Sequence, residues 1–417
     1  MRKGIKANRA WLKSFLLGGG ALFLVVSLVL YPETAFNSSL EGLQIWWEVV
    51  FPALLPFFIA SEILMGFGVV HFLGVLLEPF MRPVFRVPGP GAFVMAMGLA
   101  SGYPIGAKLT SRLREQGLIT RSEGERLVSF TNTADPLFMF GAVAVGFFHD
   151  VSLGVTLAVA HYSSSLLTGI AMRFHDPRGE TSPPMETSRE FFLVRAVKAM
   201  HNARLKDGRP FGTLIGDSVM NSIQTLLMIG GLMMIFSVLI EVMSLIDITT
   251  LLAHVFAFIL MLLGLPTDLS TAMISGLFEI TLGAKATSEF KDTLPMIYVM
   301  AIVSTIVAWS GLCVHAQVAS LLSTTDIRYK PYLFARMLHG LLAGVITVIV
   351  WNPVQRYLLT SDAAIPAFLQ QLPNNSFSNL WSRLEFIGFR VLLLLLALIG
   401  IAILINAVQT IVSRKKR

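Results

Sequence analysis

The chain has 417 residues, of which 54% are hydrophobic and only 14% are charged. Soluble proteins carry about 25% charged residues, and several apolar runs here exceed the roughly 18 residues of a membrane span, so the composition excludes a soluble globular protein and predicts a polytopic helical membrane protein. The net charge of +7 does not indicate nucleic-acid binding, because the basic residues lie mostly in loops and flanks, where they mark topology. A single cysteine, Cys313, cannot form an internal disulfide, and no CxxC or HExxH motif supports a metal or redox site.

The first half of the chain is predicted to contain several spans and one re-entrant hairpin. The first span covers 12–31; because its apolar part is long and no small-x-small cleavage site follows it, we expect an uncleaved span rather than a signal peptide. A loop without Lys or Arg follows at 32–42. The remaining elements are, in order, a proline-kinked span at 43–67, an amphipathic interfacial helix at 69–85, a hairpin at 89–118, a span at 125–148 broken at 132–136, and a span at 152–174.

A polar linker at 175–210 separates the two halves, and it combines a flexible stretch with a basic surface helix. The second half, at 211–351, is predicted to contain a span within 211–243, an interfacial or re-entrant helix at 251–265, a hairpin at 267–289, a span at 294–322 broken at 309–311, and a span at 332–351. The final segment, 352–417, is predicted to hold an outside loop, a last span at 386–412 and a basic tail.

An internal repeat relates the two halves. Aligning GAK at 106–108 with GAK at 283–285 gives an offset of 177 residues, and SGYPIGAK then matches SGLFEITLGAK at the hairpin tips. The same offset places SFTNTADPLF on IVAWSGLCVH, so each half has a polar break inside an apolar span. The first repeat covers 43–174 and the second covers 211–351. Matching breaks in two halves indicate the binding site of a membrane transporter.

The distribution of Lys and Arg predicts the orientation of these repeats. The segments at 1–13, 82–126, 175–210 and 324–330 and the C-terminus carry basic residues and are expected inside, whereas the links at 32–42, 149–151 and 244–248 have none. The two hairpins then enter from opposite faces. The predicted fold is an all-α polytopic membrane protein of two inverted repeats, each with a re-entrant hairpin and a broken helix, with about eight spans plus the two hairpins and with both termini in the cytoplasm.

The hairpin tips and the broken helices form the predicted binding site. Non-helical backbone at membrane depth is tolerated only inside protein or beside a watery cavity, so we expect the two tips and the two breaks to face one another. Each GAK lies near a helix N-terminus, which offers free N–H groups and a positive dipole end to an anion. The candidate substrate-binding residues are Ser101, Gly102, Tyr103, Lys108, Asn132, Thr133, Glu279, Thr281, Lys285, Ser310 and Gln317.

Alternatives stay open for the charged residues among these. Lys108 and Lys285 either bind an anion, or they snorkel to water or pair with Asp135 and Glu279. Glu279 is either a coupling or substrate-binding group or the ion-pair partner of Lys285, and Asp135 is expected to cap the second half of its broken span. No nucleophile–base pair or metal-ligand cluster is present in the sequence, so we expect no enzyme activity, no cofactor and no metal.

Longer motifs carry a resemblance to a known family. With SGYPIGAKLTSRLREQG, ERLVSFTNTADPLFMFGAVAVGFF, LFEITLGAK and WSGLCVHAQ, the chain resembles the sporulation integral membrane proteins of the Gate, or nucleoside-recognition, family, most clearly over 31–357. That family is similar to concentrative nucleoside transporters, which have two re-entrant hairpins and two broken helices around one central site. SGYPIGAK stands where those transporters carry a GQTE-like motif, and it has a lysine and no carboxylate, which argues against nucleoside as substrate and sodium as coupling ion.

The resemblance implies a role in endospore formation by a Gram-positive bacterium. It implies that dipicolinic acid, pyridine-2,6-dicarboxylate, passes from the mother cell across the outer forespore membrane, in which the protein would reside. The residues alone predict only a small-anion site, with which a flat dianion is compatible. The expected partners are dipicolinate and membrane lipids, without nucleic acid; other sporulation membrane proteins and a homo-oligomer stay open. The alternatives are a non-transporting scaffold or sensor of sporulation and a transporter of nucleoside-like solutes.

Overall fold

The computed structural model describes Phe15 and residues 18–183 and 192–360, and in this part of the chain the regular structure is entirely helical. The predicted last span at 386–412, the basic tail, most of the outside loop before them and residues 184–191 of the linker lie outside the described residues. The described residues include all of both predicted repeats, 43–174 and 211–351.

The first repeat and the segment before it consist of helices joined by short turns. Two π-helical segments, Trp46–Val50 and Leu137–Phe147, interrupt the α-helices. The α-helices are α1 (Gly18–Leu30), α2 (Pro32–Ile45), α3 (Phe51–Gly66), α4 (Val69–Phe85), α5 (Gly91–Ser101), α6 (Ile105–Glu115), α7 (Arg121–Thr131) and α8 (Leu153–Met172).

The linker helix and the second repeat follow the same pattern. A short 3₁₀ turn, Thr267–Leu269, opens the second hairpin. The α-helices are α9 (Phe192–Asp207), α10 (Phe211–Leu245), α11 (Ile248–Leu262), α12 (Ser270–Phe278), α13 (Ile280–Ser288), α14 (Met296–Trp309), α15 (Gly311–Leu322) and α16 (Tyr329–Thr360).

The loop predicted at 32–42 is instead helical, because α2 covers this segment. Pro32 occupies the first turn of α2, where its fixed φ suits a helix and its missing N–H costs nothing. The buried residues Ala35, Ser38 and Gly42 are small, and a Cβ on Gly42 would lie 3.1 Å from the Met234 Cα of α10. Small residues let two helices approach closely, so α2 packs on α10 without an apolar sequence.

The predicted hairpins and breaks agree with the structure. Hairpin one is α5–α6 and hairpin two is α12–α13; the first broken span is α7 with the π-helix that follows it, and the second is α14–α15. At the predicted offset, α4 falls on α11 and the start of α8 falls within one residue of the start of α16. The repeat therefore extends through every element from α4 to α8 and from α11 to α16.

Four described helices are long and apolar enough to cross a membrane, counting α14–α15 as one, or up to six if each bent pair is one span. One such pair is α1–α2, bent by 108°, and the other is α3–α4, bent by 81°. The total of about eight spans stays a prediction. The bend before α4, together with its apolar and polar faces, is what an interfacial helix requires.

Two positions on connecting segments test the inverted topology. Arg178 follows α8 in a segment predicted inside, and Ser244 lies in the last turn of α10 in a segment predicted outside; both are exposed, whereas the native Cys313 is buried. We expect Arg178→Cys and Ser244→Cys to react with a membrane-impermeant thiol reagent from opposite faces of sealed vesicles. Labelling of both from the same face would contradict the inverted repeat, and the unsubstituted protein, whose only thiol is buried, is the control.

Candidate functional site

The tip of hairpin one contacts both broken helices. Gly102 has φ +75°, which favours glycine, and a Cβ there would overlap the Asp135 carboxylate in the first break. The neighbouring Tyr103 hydroxyl donates a hydrogen bond to the Val307 carbonyl of α14, with an oxygen–oxygen distance of 3.0 Å. Tip one thus lies between the first break and the end of α14.

The tip of hairpin two contacts the second break. The Trp309 indole N–H donates to the Leu277 carbonyl at 3.1 Å, and a Cβ on Gly311 would lie 2.9 Å from the Phe278 carbonyl oxygen. Gly311 and Ser310 both have positive φ, so α14 and α15 meet at a sharp break. The two tips and the two breaks, expected from the sequence to face one another, lie together in the structure.

A cavity of about 820 Å³ lies between these elements. Its walls come from both tips, the π-helix after the first break, α10, α13, α15 and the segment from α2 to α3. The predicted site residues that line it are Tyr103, Glu279, Thr281, Lys285 and Gln317. The other polar lining residues are Asp135, Glu41, Gln44 and Glu48.

Lys285 is the one Lys or Arg among the described residues that line the cavity. Two of the lining carboxylates are bound to helix N-termini: Glu279 accepts a hydrogen bond from the Leu282 N–H at 2.7 Å, and Asp135 accepts one from the Phe138 N–H at 2.8 Å. Each carboxylate therefore lies against the positive end of a half-helix. The N-terminus of α13, predicted to bind a substrate anion, is capped by the side chain of Glu279.

The ion pair considered between Glu279 and Lys285 is absent from the described part of the chain, where no carboxylate lies within 4.0 Å of the Lys285 ammonium. The expected capping role of Asp135 is present, because its carboxylate accepts the hydrogen bond from Phe138 in the first turn of the π-helix. Lys285 lines the cavity and is exposed.

Lys108 does not line the cavity. Its side chain is buried, with the ammonium 3.2 Å from the Glu62 carboxylate of α3 and 4.9 Å from the centre of the Phe58 ring. The structure favours the ion-pair alternative for Lys108, with Glu62 as the partner rather than Asp135. Lys108 and Lys285 therefore do not line one cavity together, and the structure does not place them to bind a single anion between them.

The remaining predicted site residues are buried at the interruptions and do not line the cavity. Thr133 donates to the Gly98 carbonyl at 3.0 Å, and the Asn132 amide donates to the Tyr332 hydroxyl at 2.9 Å. These bonds join the broken helices to their neighbours, which is the structural alternative to substrate contact. Ser101, Gly102 and Ser310 are also buried.

Arg336 on α16 was not among the site residues predicted from the sequence. It is fully buried and donates to the Asn132 and Ala308 carbonyls and to the Tyr103 hydroxyl. It is the one Lys or Arg in the span predicted at 332–351. A charge inside a span is by itself a signal of function, and that signal could have identified it.

Ion pairs join the loop between α15 and α16 to α6 and α7. The loop between α15 and α16 is held by Arg328, which donates twice to Glu125 at 2.6 and 2.9 Å, and by Asp326, which accepts twice from Arg114 at 2.7 and 2.9 Å. The hydrogen bonds from Arg114 hold the pKa of the Asp326 carboxyl below its usual range, so this pair stays charged at neutral pH and is lost only in acid. The residues of both pairs belong to segments predicted inside.

Comparison with known proteins gives one strong match. The Gate family model, described as nucleoside recognition, matches residues 47–151, which include hairpin one and the first broken span. The sporulation integral membrane protein YlbJ of Bacillus subtilis is 49% identical over 348 residues, which cover 83% of this chain and 85% of the relative.

Two further matches are weaker. An uncharacterized protein of Alkalihalophilus pseudofirmus is 28% identical over 198 residues, 43% of this chain and 42% of that protein. A solved structure of a doubly substituted CNTnw in an outward-facing state covers 81% of this chain and 87% of that chain at 12% identity, with a TM-score of 0.34. That score is too low to carry an argument about this chain.

Proposed function

The chain belongs to the family of the sporulation integral membrane protein YlbJ, and from this premise we propose that it transports a small organic acid across a membrane during endospore formation. The solute we propose is dipicolinic acid, moved from the mother cell towards the forespore across the outer forespore membrane. The family resemblance of the sequence motifs supports this choice of solute, and the cavity supports transport.

The observation that carries the proposal is the cavity at the meeting point of two hairpin tips and two broken helices. Its volume of about 820 Å³ falls within the range of small-molecule sites, roughly 300–1,000 Å³. Non-helical backbone at membrane depth is tolerated only inside protein or beside a water-filled cavity, and in transporters such interruptions form the solute site. A scaffold or sensor needs no such interruptions, so transport is the better explanation.

The lining supports a flat acid as the solute. The lining includes the aromatic residues Tyr103 and Phe138, and it includes Lys285, which forms no ion pair within 4.0 Å with a carboxylate of the described residues. A charge-assisted hydrogen bond from Lys285 to a substrate carboxylate is among the stronger single polar contacts a site can make. The carboxylates of Asp135 and Glu279 oppose an anion less than isolated charges would, because each is bound to a positive helix end.

One observation favours a second candidate. Four carboxylates line the cavity, on Glu41, Glu48, Asp135 and Glu279, against the single ammonium of Lys285. A neutral, nucleoside-like solute would bind beside these carboxylates without electrostatic cost. The description of the matching family model as nucleoside recognition points the same way.

A clean deletion in the spore-former that carries this chain separates the candidates. We expect spores low in dipicolinate from a mother cell that still synthesises it, with the content restored by expressing the chain in the mother cell. A normal spore content of dipicolinate in the deletion strain would contradict the proposal. The Lys285→Met variant serves as the matched complementation control, because it tests the cavity rather than the presence of the protein.

A further inference from the structure

We propose that Arg336 is a tethered cation that fills a cation site formed by the C-terminal ends of the half-helices α7 and α14, so that the protein needs no free Na⁺ or other cation at this position. The inference concerns the coupling of the transport proposed above and rests on that function only where solute binding is measured. It assigns a role to a residue that lies outside the cavity lining.

The geometry is that of a cation between two helix ends. One guanidinium nitrogen of Arg336 donates to the carbonyl of Asn132, the C-cap of α7, at 2.9 Å. A second donates to the carbonyl of Ala308 in the last turn of α14 and to the Tyr103 hydroxyl, the latter at 2.6 Å. A single side chain thus joins both broken helices and the tip of hairpin one.

The charges of this arrangement balance without a carboxylate. Each helix C-terminus carries roughly half a negative elementary charge, so two of them together offset about one positive charge. No carboxylate of the described residues lies within 4.0 Å of the Arg336 guanidinium. The rings of Tyr103 and Tyr332 lie 5.3 and 5.9 Å from its central carbon, where their faces attract a cation.

The site around Arg336 matches a positive charge better than it matches the shape of a guanidinium group. The Nε of Arg336 is buried and has no hydrogen-bond partner among the described residues, although a site shaped for the whole guanidinium would satisfy it. Half-helix C-termini and unwound carbonyls are the groups with which transporters coordinate Na⁺ or protons. A side chain in that place cannot leave with the solute, so the cation is permanent.

The experiment uses the full-length purified protein and its Arg336→Ala variant. Melting temperature and dipicolinate affinity are measured in NaCl, in choline chloride of equal ionic strength, and with added millimolar guanidinium. We expect the unsubstituted protein to be indifferent to these ions. Arg336→Ala should melt lower and bind dipicolinate at least tenfold more weakly in choline, and Na⁺ or guanidinium should restore both in a saturable manner.

Two control variants separate the loss of the charge from the loss of side-chain volume and from the loss of any buried arginine. Arg336→Met fills the site with an uncharged side chain, so it should be destabilised and should not respond to either cation. Arg126 is buried as deeply and also donates to backbone carbonyls, but it interacts electrostatically with the carboxylates of Glu123, Asp176 and Glu125. Arg126→Ala should therefore show no response to Na⁺.

Two results would overturn the inference: a Na⁺ requirement in the unsubstituted protein, or a folded Arg336→Ala variant whose melting temperature responds to neither cation. If Arg336→Ala does not fold, Arg336→Lys, which retains the charge, should keep most of the thermal stability and stay indifferent to Na⁺; a Na⁺ response there would contradict the inference. A third result separates the two proposals. If Na⁺ or guanidinium restores the melting temperature of Arg336→Ala, but neither the variants nor the unsubstituted protein bind dipicolinate, the proposed solute is rejected and the tethered cation is supported.

Discussion

Replacing Lys285 by methionine should weaken dipicolinate binding about ten- to a hundredfold. Methionine keeps the apolar stem and removes the one ammonium among the described residues of the cavity lining. A hydrogen bond to a charged group contributes about 1.5–3 kcal/mol, which corresponds to that loss of affinity. Arginine keeps the charge but differs in shape and reach, so it should restore binding only in part. Equilibrium binding to the purified variants measures both effects.

The matched control is Lys291→Met. Lys291 follows hairpin two in the chain and does not line the cavity, so the same substitution there should leave the affinity unchanged. Equal dipicolinate affinity in Lys285→Met and in the unsubstituted protein would contradict the assignment of Lys285 to an anion site. The transport of a neutral solute would then be the better explanation of the cavity.

Replacing Lys108 by methionine should lower stability and leave the dipicolinate affinity of the folded protein unchanged. Breaking a buried ion pair at one partner costs about 3–5 kcal/mol, because the other charge stays buried without compensation. Arg112 lies 4.0 Å from the same Glu62 carboxylate, so the lower end of this range is expected. Thermal unfolding in detergent measures the loss.

The double variant tests the cause of that loss. Adding Glu62→Gln to Lys108→Met removes the charge left behind and should recover most of the stability. A single Lys108→Met variant that unfolds normally but no longer binds dipicolinate would contradict the assignment. Lys108 would then bind the anion, which is one of the alternatives derived from the sequence.

Local signals in the sequence were sufficient to predict where the hairpins and the helix breaks lie. Glycine, proline and short polar runs predicted hairpin one at 89–118, and the structure has α5–α6 from Gly91 to Glu115. The second break was predicted at 309–311, where Ser310 and Gly311 adopt positive φ. The internal repeat also identified α11 as the counterpart of α4, which length alone left ambiguous.

Contacts between distant segments could not be predicted in this way. The segment at 32–42 was predicted as a loop because it is polar, and its small residues indicate a helix interface only once α10 lies beside them. Glu62 gave no local sign of pairing with Lys108. Arg336 was missed because the repeat guided the site prediction, and at the matching place in the first half the sequence has the apolar Val159.

Uptake of labelled dipicolinate into vesicles that contain only the purified protein tests the central claim most directly. We predict saturable uptake above that of empty vesicles, which unlabelled dipicolinate competes for and nucleosides do not, and which falls in vesicles containing Lys285→Met. Replacing Na⁺ by choline should not change it. Uptake no greater than that of empty vesicles, or uptake that nucleosides abolish, would contradict the account.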